Sequence, residues 1–246
     1  MQVLDGRLAS AFIKENIKAK VLDRIAKGKK IPHLAAVLVG NDGASETYVN
    51  SKVKNCFDLG FQSTLIRYEA DITEKKLLNT IDELNKQDGI DGILVQLPLP
   101  THISSERIIE AIDPSKDVDG FHPISVGKLV QGLPTFISAT PYGIMLMLEY
   151  YKIPTKGKHA VIIGRSNIVG KPVALLLLAK NATVTVCHSK TKNLKDEVKQ
   201  ADIVIAAVGQ AKLITADMIK PGAWVIDVGI NRPAGGKICG DVDFDA

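Results

Sequence analysis

The 246-residue chain has few aromatic residues, few cysteines, little charge imbalance and no long apolar run. Phe, Trp and Tyr make up only 5% of it, too little for the stacking platform that single-stranded nucleic acid needs. Lys and Arg number 31 against 27 Asp and Glu, a formal +4. These charges are scattered, so no basic patch marks a nucleic-acid partner. Cys56, Cys187 and Cys239 are too few and too separated for a disulfide framework or a zinc site, and read as small buried side chains. The longest purely apolar stretch, residues 173–179, sits between Lys171 and Lys180 and is far too short to span a bilayer. The first seven residues lack the charged lead and apolar run of a signal peptide. A soluble, cytoplasmic protein with no membrane partner is expected.

Hydrophobic residues make up 46% of the chain, enough for one or two ordinary globular domains. Their spacing alternates between helical and extended periods. A helix is expected over residues 8–26, a strand over 34–39, a helix over 45–59 stopped by Gly60, a strand over 62–68, a helix to about Lys86 capped by Thr73, and a buried strand over 92–97. Residues 113–136 are rich in Pro, Gly and Asp and show little periodicity. A helix over 142–151 then precedes a second alternation. Its strands fall at 159–163, 183–187, 203–208 and 224–228, and its helices at 169–180 and 194–200. Strand and helix alternating at this spacing predict parallel sheets covered on both faces. The expected fold class is α/β with two domains: a three-layer catalytic domain over residues 1–139 and a Rossmann-like nucleotide-binding domain over residues 140–246.

The segment Gly164-Arg165-Ser166-Asn167-Ile168-Val169-Gly170 falls between a strand and a helix, where a dinucleotide phosphate turn belongs. Gly164 permits the tight turn, Ser166 is small enough for close approach, and Gly170 lets helix and strand pack closely. The pyrophosphate would lie on the helix N-terminus. The strict G-x-G-x-x-G spacing is not met, and an ordinary strand-to-helix turn has the same outline. Pro172 stands where a Walker A loop needs Ser or Thr. An NAD site usually carries an acid at the end of the second strand. Here that stretch reads Cys187-His188-Ser189-Lys190, and Arg165, Ser189 and Lys190 could take a 2′-phosphate, which favours NADP.

Tyr48 and Lys52 are four apart on an expected helix and so share a face. The same Tyr-x-x-x-Lys pair occurs in short-chain dehydrogenases, but there it follows the nucleotide turn, whereas here it precedes it. Gln96 ends an apolar strand, where ligands of open parallel sheets collect, and an amide there needs a partner. Asp117 and Asp119, in Lys116-Asp117-Val118-Asp119-Gly120, are too few carboxylates for a Mg²⁺ or Ca²⁺ site. They read either as a turn or as acceptors for a substrate's N–H groups. His122 has no ligand-spaced partner and reads as structural. No metal is expected.

In order, Tyr48-Val49-Asn50-Ser51-Lys52, Asp91-Gly92-Ile93-Leu94-Val95-Gln96-Leu97-Pro98-Leu99-Pro100, Lys116-Asp117-Val118-Asp119-Gly120-Phe121-His122-Pro123, the Gly164 turn and Asp227-Val228-Gly229-Ile230-Asn231-Arg232 closely resemble the bifunctional methylenetetrahydrofolate dehydrogenase/cyclohydrolase family. The resemblance covers nearly the whole chain. It implies NADP-linked oxidation of 5,10-methylenetetrahydrofolate, hydrolysis of the methenyl product to 10-formyltetrahydrofolate, and a homodimer. It makes Lys52 the catalytic lysine, with Gln96 supporting it, Tyr48 packing on the folate rings and Asp119 bonding the pterin. Val95 and Leu97 join these four in contacting substrate, and Gly164, Arg165, Ser166, Ser189 and Ile230 contact NADP. A lysine is ordinarily protonated at neutral pH, and burial or a neighbouring cation favours the free amine that could serve as a base. Two departures stand out. Ala139-Thr140-Pro141-Tyr142 replaces the family's usual Cys-Thr-Pro plus a basic residue. The family also continues past Asp241-Val242-Asp243-Phe244 with a glycine-rich loop and a closing helix. A two-domain shikimate-type reductase would share the architecture but not the Tyr48, Lys52, Gln96 and Asp119 set.

Overall fold

The computed structural model describes residues 2–233 and 236–245. The chain forms two compact units, one of residues 1–128 and 134–136, the other of residues 129–133 and 137–246.

The first unit contains α1 (Gly6–Ala26), β1 (His33–Val39), α2 (Gly43–Leu59), β2 (Gln62–Tyr68), α3 (Glu74–Asn85), β3 (Gly92–Val95), α4 (Ser105–Ala111) and most of α5 (Pro123–Val130). Its three strands are parallel in the order β2-β1-β3. β1 is sealed on both faces, which is why it reads as one apolar run rather than an alternation. Ala35, Val37 and Val39 turn to Leu77, Ile81 and Ile108 of α3 and α4. Ala36 and Leu38 turn the other way, toward Val49 of α2. The strand's period of two thus meets a different helix layer on each side.

The helix ends are specified locally. Asp42 caps α2, accepting from Ser45 N at 2.8 Å, and Thr73 caps α3, accepting from Lys76 N at 3.2 Å. Gly60 closes α2 in the left-handed region, at φ 83°, as the expected stop requires. Three elements of this unit depart from expectation, the first being α4, a helix that the sequence pattern did not mark. The segment around residues 113–136 holds α5, whose first residue is Pro123. Proline suits that first helical position because its missing N–H has no intrahelical partner. β3 ends at Val95, so Gln96 lies just beyond the strand rather than within it, although its N–H still donates to Val37 O at 2.9 Å.

The second unit contains α6 (Ala139–Tyr150), β4 (His159–Ile163), α7 (Gly170–Ala179), β5 (Thr183–Cys187), α8 (Leu194–Lys199), β6 (Ile203–Ala206), a short 3₁₀ turn (Ala216–Met218) and β7 (Trp224–Asp227). Its four strands are parallel in the order β5-β4-β6-β7. Val161, Ile163, Val204 and Ala206 pack with Val198 and Ile214 on one face, while α7 lies against β4 and β5. Cys56 and Cys187 are buried thiols and Cys239 is partly exposed.

The two sheets begin alike. In the first unit, Asp91 accepts from His33 N (2.9 Å) and Lys30 Nζ (2.7 Å), and His33 Nε2 meets Thr64 Oγ1 (2.8 Å). In the second, Asp202 accepts from His159 N (2.9 Å) and Lys220 Nζ (2.6 Å), and His159 Nε2 meets Thr185 Oγ1 (2.9 Å). Each central strand therefore enters its sheet through the same His–Thr contact and the same Asp–Lys clamp.

Candidate active site and nucleotide turn

In the first unit the expected residues converge. α2 carries Tyr48 and Lys52 one turn apart, with Val49 between them fully buried in the core. Lys52 is thereby aimed at the end of β3, where its Nζ donates to Gln96 Oε1 at 3.3 Å. Gln96 Nε2 donates to Leu97 O at 2.6 Å. Only the amide's NH₂ end can face a carbonyl, so Leu97 fixes Oε1 toward the lysine. Val95 is buried beneath this corner, whereas Tyr48 is 52% exposed and free to offer a ring face.

Asp119 comes to the same corner from a different element. The 116–118 segment runs beside β3: Ile93 N donates to Lys116 O at 2.8 Å, and Ile93 pairs in parallel with Asp117. Asp117 is buried and accepts from His122 N (2.9 Å) and Phe121 N (3.3 Å), while His122 Nδ1 accepts from Ile124 N (3.0 Å). Asp117 and His122 therefore build the turn that leads into α5. Asp119, which belongs to no such turn bond, is left to face Lys52. Desolvation pushes its pKa up, and the Lys52 charge pulls the other way. The corner thus holds an ammonium or amine, a half-buried carboxylate and an oriented amide, a set able to bind a polar heterocycle and move protons at its edge. Among the described residues no three His, Cys, Asp or Glu side chains come together as a metal site.

In the second unit the candidate nucleotide residues lie at the carboxyl ends of the strands. Gly164 follows β4 with φ 125°, and a Cβ there would collide with the Ala207 carbonyl. Both facts demand glycine. Gly170 opens α7 where a Cβ would run into the Gly164 carbonyl. Between them Ser166 Oγ accepts from Val169 N (3.1 Å) and Gly170 N (3.3 Å), shaping the turn into the helix. Arg165 and Ser166 are exposed on it. After β5, His188 N donates to Thr191 Oγ1 (2.8 Å) and Lys190 N to His188 Nδ1 (3.1 Å). This tight turn leaves Ser189 and Lys190 exposed. Ile230, after β7, is 68% exposed. The strand order reverses direction between β4 and β6, the switch point at which doubly wound sheets bind ligands.

The Leu97 carbonyl that orients Gln96 and the Asp117 brace both escaped sequence reasoning. A backbone carbonyl leaves no mark in the sequence. Asp117 did leave one, in the Asp-Val-Asp spacing, which did not tell the bracing carboxylate from the presented one.

Residues 4–119 match the model of the tetrahydrofolate dehydrogenase/cyclohydrolase catalytic domain, and residues 138–246 that of the tetrahydrofolate dehydrogenase/cyclohydrolase NAD(P)-binding domain. The bifunctional protein FolD of Porphyromonas gingivalis is 56% identical over 254 residues, covering 99% of this chain and 86% of its own. The crystal structure of the bifunctional FolD methylenetetrahydrofolate dehydrogenase/cyclohydrolase from Campylobacter jejuni superposes with a TM-score of 0.96 at 51% identity, covering 100% of this chain and 87% of that one. The Trypanosoma brucei enzyme, solved with NADP cofactor and inhibitor, superposes with a TM-score of 0.92 at 34% identity, covering 99% and 86%. The chain belongs to the tetrahydrofolate dehydrogenase/cyclohydrolase family.

Proposed function

We propose that the chain oxidises 5,10-methylenetetrahydrofolate with NADP and hydrolyses the resulting 5,10-methenyl cation to 10-formyltetrahydrofolate. The observation that carries this reading is the Lys52–Gln96 pair at the end of β3, inside a chain of this family. Oxidation moves a hydride from the bridging methylene to the nicotinamide and leaves a cation shared by two nitrogens. That step needs orientation above all. Tyr48, Val95, Leu97 and Asp119 supply it, the exposed Tyr48 ring packing on the folate rings and the Asp119 carboxylate accepting from pterin N–H groups. Hydrolysis adds water to the same carbon, takes a proton from that water and breaks one carbon–nitrogen bond. Lys52 receives that proton and passes it to the departing nitrogen, the remaining hydroxyl proton is released to solvent as the formyl C=O forms, and Gln96 holds Lys52 in place.

Residues 1–139 act as the folate domain and residues 140–246 as the NADP domain. NADP, when bound, supplies the hydride acceptor. Gly164, Arg165, Ser166, Ser189 and Ile230 hold it, with Arg165 and Lys190 facing the 2′-phosphate. No helix among the described residues is long and apolar enough to cross a membrane, in keeping with a cytoplasmic enzyme, and the working form is a homodimer.

Lys52→Met tests the assignment, with loss of methenyl hydrolysis as the expected result and hydrolysis at the parent rate as the refuting one. Cofactor choice is tested by kcat/KM with NADP against NAD. An equal or better value with NAD overturns it.

A further inference from the structure

At the carboxyl ends of β6 and β7 lies a carboxylate pair with no part in the roles assigned above. Asp241 is completely buried, 0% exposed. Its Oδ2 accepts from Val208 N (2.7 Å) and Gly209 N (3.0 Å), and its Oδ1 from Gln210 N (2.8 Å) and Asn231 Nδ2 (2.9 Å). Three successive N–H groups converging in this way make an anion nest, the kind of concavity loops present to phosphate. Here the protein fills it with its own carboxylate. Asp241 is held in turn. Asp227 Oδ1 accepts from Asp241 N (2.9 Å) and Gly229 N (3.0 Å), and its Oδ2 from Val242 N (3.0 Å). Ile214 N donates to Asp241 O and Asp243 N to Ile214 O, at 2.9 and 2.8 Å. Space enforces the arrangement: a Cβ on Gly229 would strike the Asp241 carboxylate, and one on Gly240 the Asp227 carboxylate.

We propose that Asp241 is a positioning residue for the dinucleotide. It fixes the loops after β6 and β7 as walls of the nucleotide crevice and, by filling the nest, leaves the turn between Gly164 and Gly170 as the place for phosphate. The inference rests on the NADP reading above. The loop after β6 borders the switch point between β4 and β6, and its Ala207 carbonyl occupies the space a Gly164 side chain would need. Its next three N–H groups all end on Asp241. On the other wall, Ile230 is strung between Gly229, held by Asp227, and Asn231, held by Asp241. Asp241 thus acts on the nucleotide through backbone it immobilises.

Asp241→Asn preserves size but sets an NH₂ donor among four donors, so at least one N–H loses its acceptor. In calorimetric titration of the whole chain with NADP, Kd is expected to rise about tenfold, and the ratio of nucleotide-dependent oxidation to nucleotide-independent methenyl hydrolysis to fall about fivefold. Asn231→Ala removes one donor of the four and is expected to raise Kd about threefold. A Kd for folded Asp241→Asn within about twofold of the parent overturns the proposal. So does an equal loss of both activities, which marks a general packing role. If melting curves show that Asp241→Asn does not fold, Asn231→Ala decides alone, an unchanged Kd being the refuting result. A parent chain that binds no NADP removes the nucleotide reading and this inference together, an outcome distinct from parent and variant binding equally well.

Discussion

Desolvation pushes the pKa of Asp119 up, against the pull of the Lys52 charge. A raised folded-state value means that its contribution to stability is full below the ordinary carboxylate range and is lost as pH rises through that raised value. Ionising Asp119 therefore works against the fold. Asp119→Asn is expected to melt about 1–3 °C higher than the parent at neutral pH, to show less gain near pH 4, and to lose catalytic efficiency. An equal gain at both pH values would contradict this account. Gly164→Ala has the opposite character. With φ at 125° and the Ala207 carbonyl in the way, it is expected to lose about 2 kcal/mol or more in urea unfolding, with NADP binding lost as well. At this scale the sequence was informative wherever residue type is dictated by backbone or chemistry, as at Gly164, Gly170, Lys52 and Gln96. It was silent where the partner is a peptide group, as with Leu97 O.

Among elements, α2 matters most because it presents Tyr48 and Lys52 while anchoring itself through Val49. Its two ends are set by Asp42 and Gly60. Asp42→Ala is expected to cost about 1 kcal/mol of stability. It should also lower kcat more than it raises the folate KM, because it frays the first turn, one turn ahead of Tyr48. Steady-state kinetics beside urea titration would check both, and an unchanged kcat would detach the cap from the site. Caps and stops of this kind are local, which is why the end of α2 at Gly60 and the start of α3 at Thr73 were legible in sequence, whereas the Asp42 cap went unread and α2 was begun two residues late. α5 was not legible. It has eight residues, starts on Pro123 and contains Gly127, so its composition resembles the loop on either side, and tertiary packing of Ser125 and its neighbours supplies what propensity does not. β3 was placed two residues too long because Leu97 extends the apolar pattern past Gln96, whose N–H still bonds to Val37 O of β1 although the strand itself has ended at Val95.

Over the whole molecule, each sheet starts on an acid held below the usual carboxylate range. Lys220 and the His159 N–H do this for Asp202, and Lys30 and the His33 N–H do it for Asp91 against the opposing desolvation. A lowered folded-state value gives stability that is present above the unfolded value and lost as pH falls through the folded one. The chain is therefore expected to hold a level urea midpoint through neutral pH and to lose stability below about pH 4. Asp202→Asn should flatten that acid limb, and a double variant with Asp91→Asn should flatten it further. An unaltered limb would remove the clamps from the account. Two parallel sheets with helices on both faces were legible in the alternation of strand and helix patterns. The matching clamps were not, because they join residues 58 and 43 positions apart. The Asp241 brace has a consequence of its own in solution. Val208, Gly209 and Gln210 lie on an exposed loop, where amide protons ordinarily trade with water almost at once. Here each ends on a carboxylate that solvent does not reach. Those three amides should keep their deuterium label as long as β6 keeps its own, a patch of slow exchange on an outward-facing loop of the protein.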